Sequence, residues 1–142
     1  MIKHTPDAAV GGEVDAEVDF QDARGDITNL FLGGITSVSE LTSKEGSVRA
    51  NHYHRTDWHY TYVVSGTVHY FERAVGEAGV PEPQTFQDGQ IFFTPPNREH
   101  AMLFGEDSVI LTFARNRRDH DSHESDVVRV EFVTPEVAAR YV

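Results

Sequence analysis

Val48-Arg49-Ala50-Asn51-His52-Tyr53-His54 and, starting five positions on, His59-Tyr60-Thr61-Tyr62-Val63-Val64-Ser65-Gly66-Thr67-Val68-His69-Tyr70-Phe71-Glu72 decide how this chain is read. Residues two apart on a strand share a face, so His52 and His54 are expected to project together, with Val48 and Ala50 beside them. In the second stretch Ser65-Gly66 reads as the two-residue turn of a hairpin, which places Val63 opposite Val68, Thr61 opposite Tyr70 and His59 opposite Glu72. If the valines enter the core, His59, Thr61, Tyr70 and Glu72 enter with them, while Tyr62 and His69 point away. Burying that many imidazoles beside a carboxylate is costly unless something binds them. A metal ion would, and His100, delivered to a strand by Pro95-Pro96-Asn97-Arg98-Glu99, is the fourth candidate ligand.

Outward from there, short runs rich in Val, Ile, Thr, Tyr and Phe alternate with Gly, Pro, Asn, Asp and Ser, the pattern of an all-β sandwich or barrel. Strands are expected near residues 35–41, 48–53, 59–64, 67–73, 90–94, 100–104, 109–115 and 127–133. Residues 74–83 and 116–125 read as surface loops, which makes His120 and His123 solvated. Thr134-Pro135-Glu136 pairs an N-cap residue with proline at the first helical position, so a short C-terminal helical turn is expected. Residues 1–25 read as an N-terminal arm and 26–142 as a single barrel domain.

The 142-residue chain has no cysteine, which excludes disulfides, thiolate ligands and a cysteine nucleophile. Its net charge of -11 opposes binding to nucleic acid. The charge is uneven, however: acids dominate the first 26 residues, whereas Arg49, Arg55, Arg98, Arg115, Arg117 and Arg118 surround the histidine segments, so an anionic small substrate is compatible. No apolar run is long enough for a membrane span and the first residues lack a secretory pattern, so a soluble, cytoplasmic protein is expected.

These residues resemble the two motifs of the cupin superfamily. Gly46, His52, His54, His59 in the glutamate position and Gly66 fit the spacing of the first motif. Gly89, Pro95, Asn97 in a glycine position, His100 and Phe104 in the asparagine position fit the second. The resemblance implies a double-stranded β-helix, or jelly-roll barrel, with one divalent metal ion per chain held by His52, His54 and His100. His59 would be the fourth ligand in place of the family glutamate. Four imidazoles would leave the ion's charge uncompensated, and zinc, nickel, iron and manganese all accept such a set. Cupins of this size also resemble homodimers that pair through sheet edges.

A more local likeness narrows the class. Asp22-Ala23-Arg24-Gly25 and Arg49-Ala50-Asn51-His52-Tyr53-His54 are similar to the D-x-RG and RG-x-H-x-H patterns of cupins that isomerise or epimerise nucleotide-linked keto sugars, with Ala50 in the place of glycine. The second segment is also similar to the C-terminal cupin of capsular polysaccharide enzymes. This implies an enzyme that polarises a carbonyl substrate, such as a nucleotide-sugar epimerase or isomerase, with Tyr70 and Glu72 as candidate acid and base and Arg49 as a diphosphate contact. A metal-dependent dioxygenase or lyase acting on a small organic acid, and a non-catalytic small-molecule-binding cupin, are the alternatives.

Overall fold

The structure is a computed structural model and describes residues 6–14, 17–30 and 34–142. In chain order the strands are β1 (Gly12–Glu13), β2 (Glu17–Asp22), β3 (Gly25–Asn29), β4 (Ser37–Ser43), β5 (Val48–His54) and β6 (His59–Ser65). They continue as β7 (Thr67–Ala74), β8 (Gln84–Gln87), β9 (Ile91–Thr94), β10 (Arg98–Phe104) and β11 (Ser108–Ala114). Helix α1 (His120–Asp126), β12 (Val127–Arg129) and helix α2 (Pro135–Ala138) complete the chain. The expected all-β fold is present, with two five-stranded antiparallel sheets ordered β1-β9-β6-β11-β4 and β12-β5-β10-β7-β8. Among the described residues no helix is long and apolar enough to cross a membrane.

The core sits between the sheets. Val63, Phe92 and Ile110 from the first pack against Val68, Tyr70, Phe86, Met102 and Phe104 from the second. Each sheet is also covered outside. Phe71, Ala101 and Leu103 pack under Phe132, Val133 and α2, while Tyr60, Ile91 and Phe93 pack with Trp58 and Val14. Strand β10 is therefore buried along nearly its whole length, its even residues facing inward and Ala101 and Leu103 outward, which explains why its sequence does not alternate in polarity. Within the segment read as an arm, Gly12–Glu13 pair with β9 and Val14 is buried.

Two local expectations are corrected. Strands β6 and β7 do not form a hairpin: β6 pairs with β9 and β11, β7 with β8 and β10, and Ser65-Gly66 is a corner that carries the chain from one sheet to the other. A tight polar-glycine pair reads alike in both settings. The inward direction of His59, Thr61 and Tyr70 survives, because facing sheets share one interior.

The second correction concerns β5. Ala50 and Asn51 both take positive φ, 71° and 55°, and the pairing with β10 slips there, so that His100 opposes His52 while Ala101 opposes Ala50. Asn51 is the extra residue of a β-bulge, and alternation resets across it. Val48 consequently joins the outer cluster, and Arg49 instead faces the same cavity as His52 and His54. The Asn51 side chain ties down the C-terminal segment, accepting from Phe132 N and Val133 N and donating to Val133 O at 3.1–3.2 Å. A left-handed alanine is unfavourable by about 1–2 kcal/mol, partly offset by the entropy that glycine loses on folding. Ala50→Gly is therefore expected to stabilise the protein by up to about 1 kcal/mol, read as a higher denaturation midpoint with an unchanged slope.

Candidate metal and substrate site

The bulged strand β5, the first residue of β6 and the inward face of β10 bring His52, His54, His59 and His100 to one cavity of about 190 Å³. Arg49 and Arg118 stand in its wall, and Leu41, Met102 and Thr112 add to its lining. Helix α1 adds His123, whose ring lies 5.5 Å from that of His54 and 6.2 Å from that of His52. The expectation of a solvated loop is thus corrected for His123, which is half-buried at the site. Asp119 caps the helix by accepting from Ser122 N.

Three of the imidazoles form a tight group. His52, His54 and His100 each offer a ring nitrogen within 4.8 Å of the others, and all three are buried. Among the described residues, His52 Nδ1 and both ring nitrogens of His54 are buried without a hydrogen-bond partner; His54 Nδ1 lies 3.4 Å from Asp126 Oδ2 but without bonding geometry. His100 donates from Nδ1 to the carbonyl of Arg98 at 3.0 Å, which leaves the Nε2 lone pair for a ligand. Orphaned nitrogens beside a ring whose outer nitrogen is anchored suit a divalent cation bound by imidazole. His59 lies outside that set of mutually close nitrogens although its ring, 5.6–5.7 Å from those of His100 and His54, is hardly farther from them than they are from each other (5.5 Å); its Nδ1 lies 3.1 Å from the Arg118 guanidinium.

A second group, His54 with Asp57 and Asp126, has its carboxylates already engaged. Asp126 accepts from Thr56 N, Thr56 Oγ1 and Asp57 N, while Asp57 accepts from Asn116 N and Arg118. These bonds shape the 55–57 turn and seat the segment that follows β11.

Tyr70 and Glu72, expected as acid and base, are not brought to this cavity. The buried Tyr70 hydroxyl donates to Glu72 Oε1 at 2.6 Å and lies 2.9 Å from Thr94 Oγ1. Glu72 Oε2 accepts from Gly11 N and from Arg98 Nε. A side chain at Gly11 would overlap Glu72 and the Phe93 carbonyl, so Glu72 works as an anchor for the N-terminal segment. Thr112, missed in the sequence, places at the cavity a buried hydroxyl that has no partner among the described residues.

Burial is the first cause holding these histidines neutral. It pushes His52 and His54 down to about 2, each helped by neighbouring histidines, and His100 down to about 4. The unfolded chain therefore binds more protons than the fold once the pH drops below the ordinary histidine value of 6.5, and stability present above that pH is lost as it falls. Each imidazole contributes on the order of 1.4 kcal/mol per pH unit over its window. The metal-free protein is expected to unfold by about pH 4, measured by circular dichroism. A native spectrum at that pH would mean that the rings accept protons inside the fold.

No family description matches the chain, and no curated protein does so by sequence. Solved structures do match. The QdtA sugar 3,4-ketoisomerase from Thermoanaerobacterium thermosaccharolyticum in complex with TDP superimposes with a TM-score of 0.66 at 20% identity, over 93% of this chain and 97% of that one. The Mycobacterium tuberculosis rmlC epimerase gives 0.71 at 15% identity, over 97% and 76%. CapF, the capsular polysaccharide assembling protein from Staphylococcus aureus, gives 0.60 at 22% identity over 83% of this chain, which spans about a third of that protein (35%). Likeness at these identities concerns architecture, and together with the sheet order and the two histidine motifs it shows that this chain has the RmlC-like cupin fold.

Proposed function

We propose that the chain is a sugar-nucleotide isomerase or epimerase that holds one divalent ion through His52, His54 and His100. The observation that carries this reading is the meeting, in one cavity of an RmlC-like barrel, of three ligand-ready imidazoles with two guanidinium groups. A bound ion would supply polarisation of a ketone oxygen, which acidifies the neighbouring C–H. Arg49, fixed by bonds from its Nε to Ser43 Oγ and from one Nη to Thr42 O, holds its guanidinium at the cavity wall, where it suits the phosphate oxygens of a nucleotide diphosphate. His123 lies outside the tight imidazole group and lines the cavity, so it is the base we assign to proton abstraction. Structures of the QdtA ketoisomerase with TDP and with TDP-4-keto-6-deoxyglucose support the choice of substrate class.

The test is incubation with TDP-4-keto-6-deoxyglucose in deuterated water, followed by proton NMR. Deuterium entering carbons beside the ketone, and its loss on chelation, is the expected result. The absence of both exchange and binding, with this and with other nucleotide sugars, would overturn the proposal.

A homodimer is part of the same reading. Phe20 and Ile27 face each other across the β2–β3 hairpin and are about half exposed (51% and 56%), and β4 ends its sheet with Val38 exposed. A second copy would cover this apolar surface. Light scattering is expected to give twice the 15.9 kDa chain mass, and the Phe20→Ser/Ile27→Ser double variant to give the monomer.

A further inference from the structure

The segment that follows β11 lays Arg118 between a buried carboxylate and a cavity histidine. Asp57 accepts from Asn116 N at 2.9 Å and from Arg118 Nε at 3.1 Å, and the Arg118 Nη2 lies 3.1 Å from His59 Nδ1. Asp57 and His59 are almost fully buried, and Arg118 is mostly so. A guanidinium has N–H donors and no lone pair to offer, so in this contact His59 Nδ1 has to be the acceptor. The proton of the neutral ring then sits on Nε2. An imidazole binds a metal through a lone pair, and a ring bound through Nε2 would carry its proton on Nδ1, directed at the Arg118 donor. The contact and the coordination are mutually exclusive. His100, whose Nδ1 donates to Arg98 O, has the opposite tautomer at the same cavity.

We infer that Arg118, seated by Asp57, is a positioning residue that keeps His59 out of the metal's ligand set and presents it as an N–H donor to a ligand oxygen bound beside the ion. The part concerning the ion rests on the proposed metal site. The tautomer does not, because it is a property of the metal-free chain. This assignment gives the histidine in the family's glutamate position a task other than replacing that glutamate.

Long-range proton–nitrogen NMR of the metal-free protein near neutral pH reads the tautomers directly, with His59 identified by its contacts to Arg118. An Nε2–H His59 beside an Nδ1–H His100 is expected, and an Nδ1–H His59 would overturn the inference. Zinc titration gives the second readout. His59→Gln is expected to keep zinc affinity within about threefold, whereas His54→Ala loses far more; Arg118→Met frees the Nε2 lone pair and tightens zinc at least about threefold, a gain that disappears in the Arg118→Met/His59→Gln double variant. Loss of zinc in His59→Gln equal to that in His54→Ala would overturn the ligand assignment. Absence of zinc binding by the unaltered protein would overturn the metal site and the ligand part with it, while the NMR result still decides whether Arg118 sets the tautomer.

Discussion

Replacing His54 by alanine is expected to abolish stoichiometric metal binding while leaving the barrel folded. His54 is 1% exposed, and both of its ring nitrogens are unpartnered among the described residues. Its imidazole therefore contributes to stability chiefly by filling space, and burying two unsatisfied polar atoms works against that contribution. The cavity left by truncation is partly compensated by removing those atoms, so the melting temperature of the metal-free variant should move by only a few degrees. Metal affinity has no such compensation. Loss of one of three imidazoles should weaken binding by more than the roughly 10–100-fold that loss of an outer-shell partner costs. Elemental analysis and calorimetry of the variant beside the parent protein decide the matter. Full metal content in the variant would remove His54 from the site.

The largest expected loss of stability is at Gly66. A Cβ built there would overlap Ser108 Oγ and lie 2.6 Å from its Cβ and 2.7 Å from its Cα, and φ is +111°, a region that L side chains rarely adopt. Strain of about 1–3 kcal/mol adds to overpacking of about 1–3 kcal/mol, so Gly66→Ala should cost about 3 kcal/mol, or roughly 10 °C in melting temperature. Adding Ser108→Gly removes the side-chain part of the clash and leaves both the φ penalty and the approach to Cα. Partial recovery is thus expected in the double variant, and full recovery would show that the backbone conformation at Gly66 is not strained by a side chain. The corner depends on this close approach, with Gly66 N donating to Asp88 and Ser108 Oγ accepting from Thr67 N.

Most of the barrel was legible because its strands carry β-branched and aromatic residues between glycine and proline breaks. His52, His54 and His100 were legible because spacing along two strands decides which atoms can meet. What was hidden depended on local backbone geometry or on distant partners. Alternation predicts Val48 on the histidine face, and the non-glycine bulge at Ala50 and Asn51 reverses it, bringing Arg49 inward instead. Ser65-Gly66 specifies a tight reversal but not which strands lie alongside it. Asn116 to Ser125 has no apolar period, yet an Asp119 cap turns part of it into the helix that delivers His123. Arg118 meets His59 across 59 positions of chain, a contact that no local pattern announces. Strands β2 and β3 were missed because the segment is rich in acids, which masked the apolar pair Phe20 and Ile27.

The corner at Ser65-Gly66 also bears on how the barrel assembles in time. With no β6–β7 hairpin to form early, β6 waits for β9 and β11, and β4 pairs with a strand more than sixty residues away. Strand β5 is flanked by β10 and β12, and Asn51 finds its partners only at Phe132 and Val133. Such distant pairings must meet the entropy of closing long loops before they gain contacts, so folding is expected to be slow, on the order of milliseconds to seconds. On the ribosome the histidine-bearing strand has one edge unpaired from its own emergence until residues 127–129 have followed, and over that interval the growing chain exposes it to other chains.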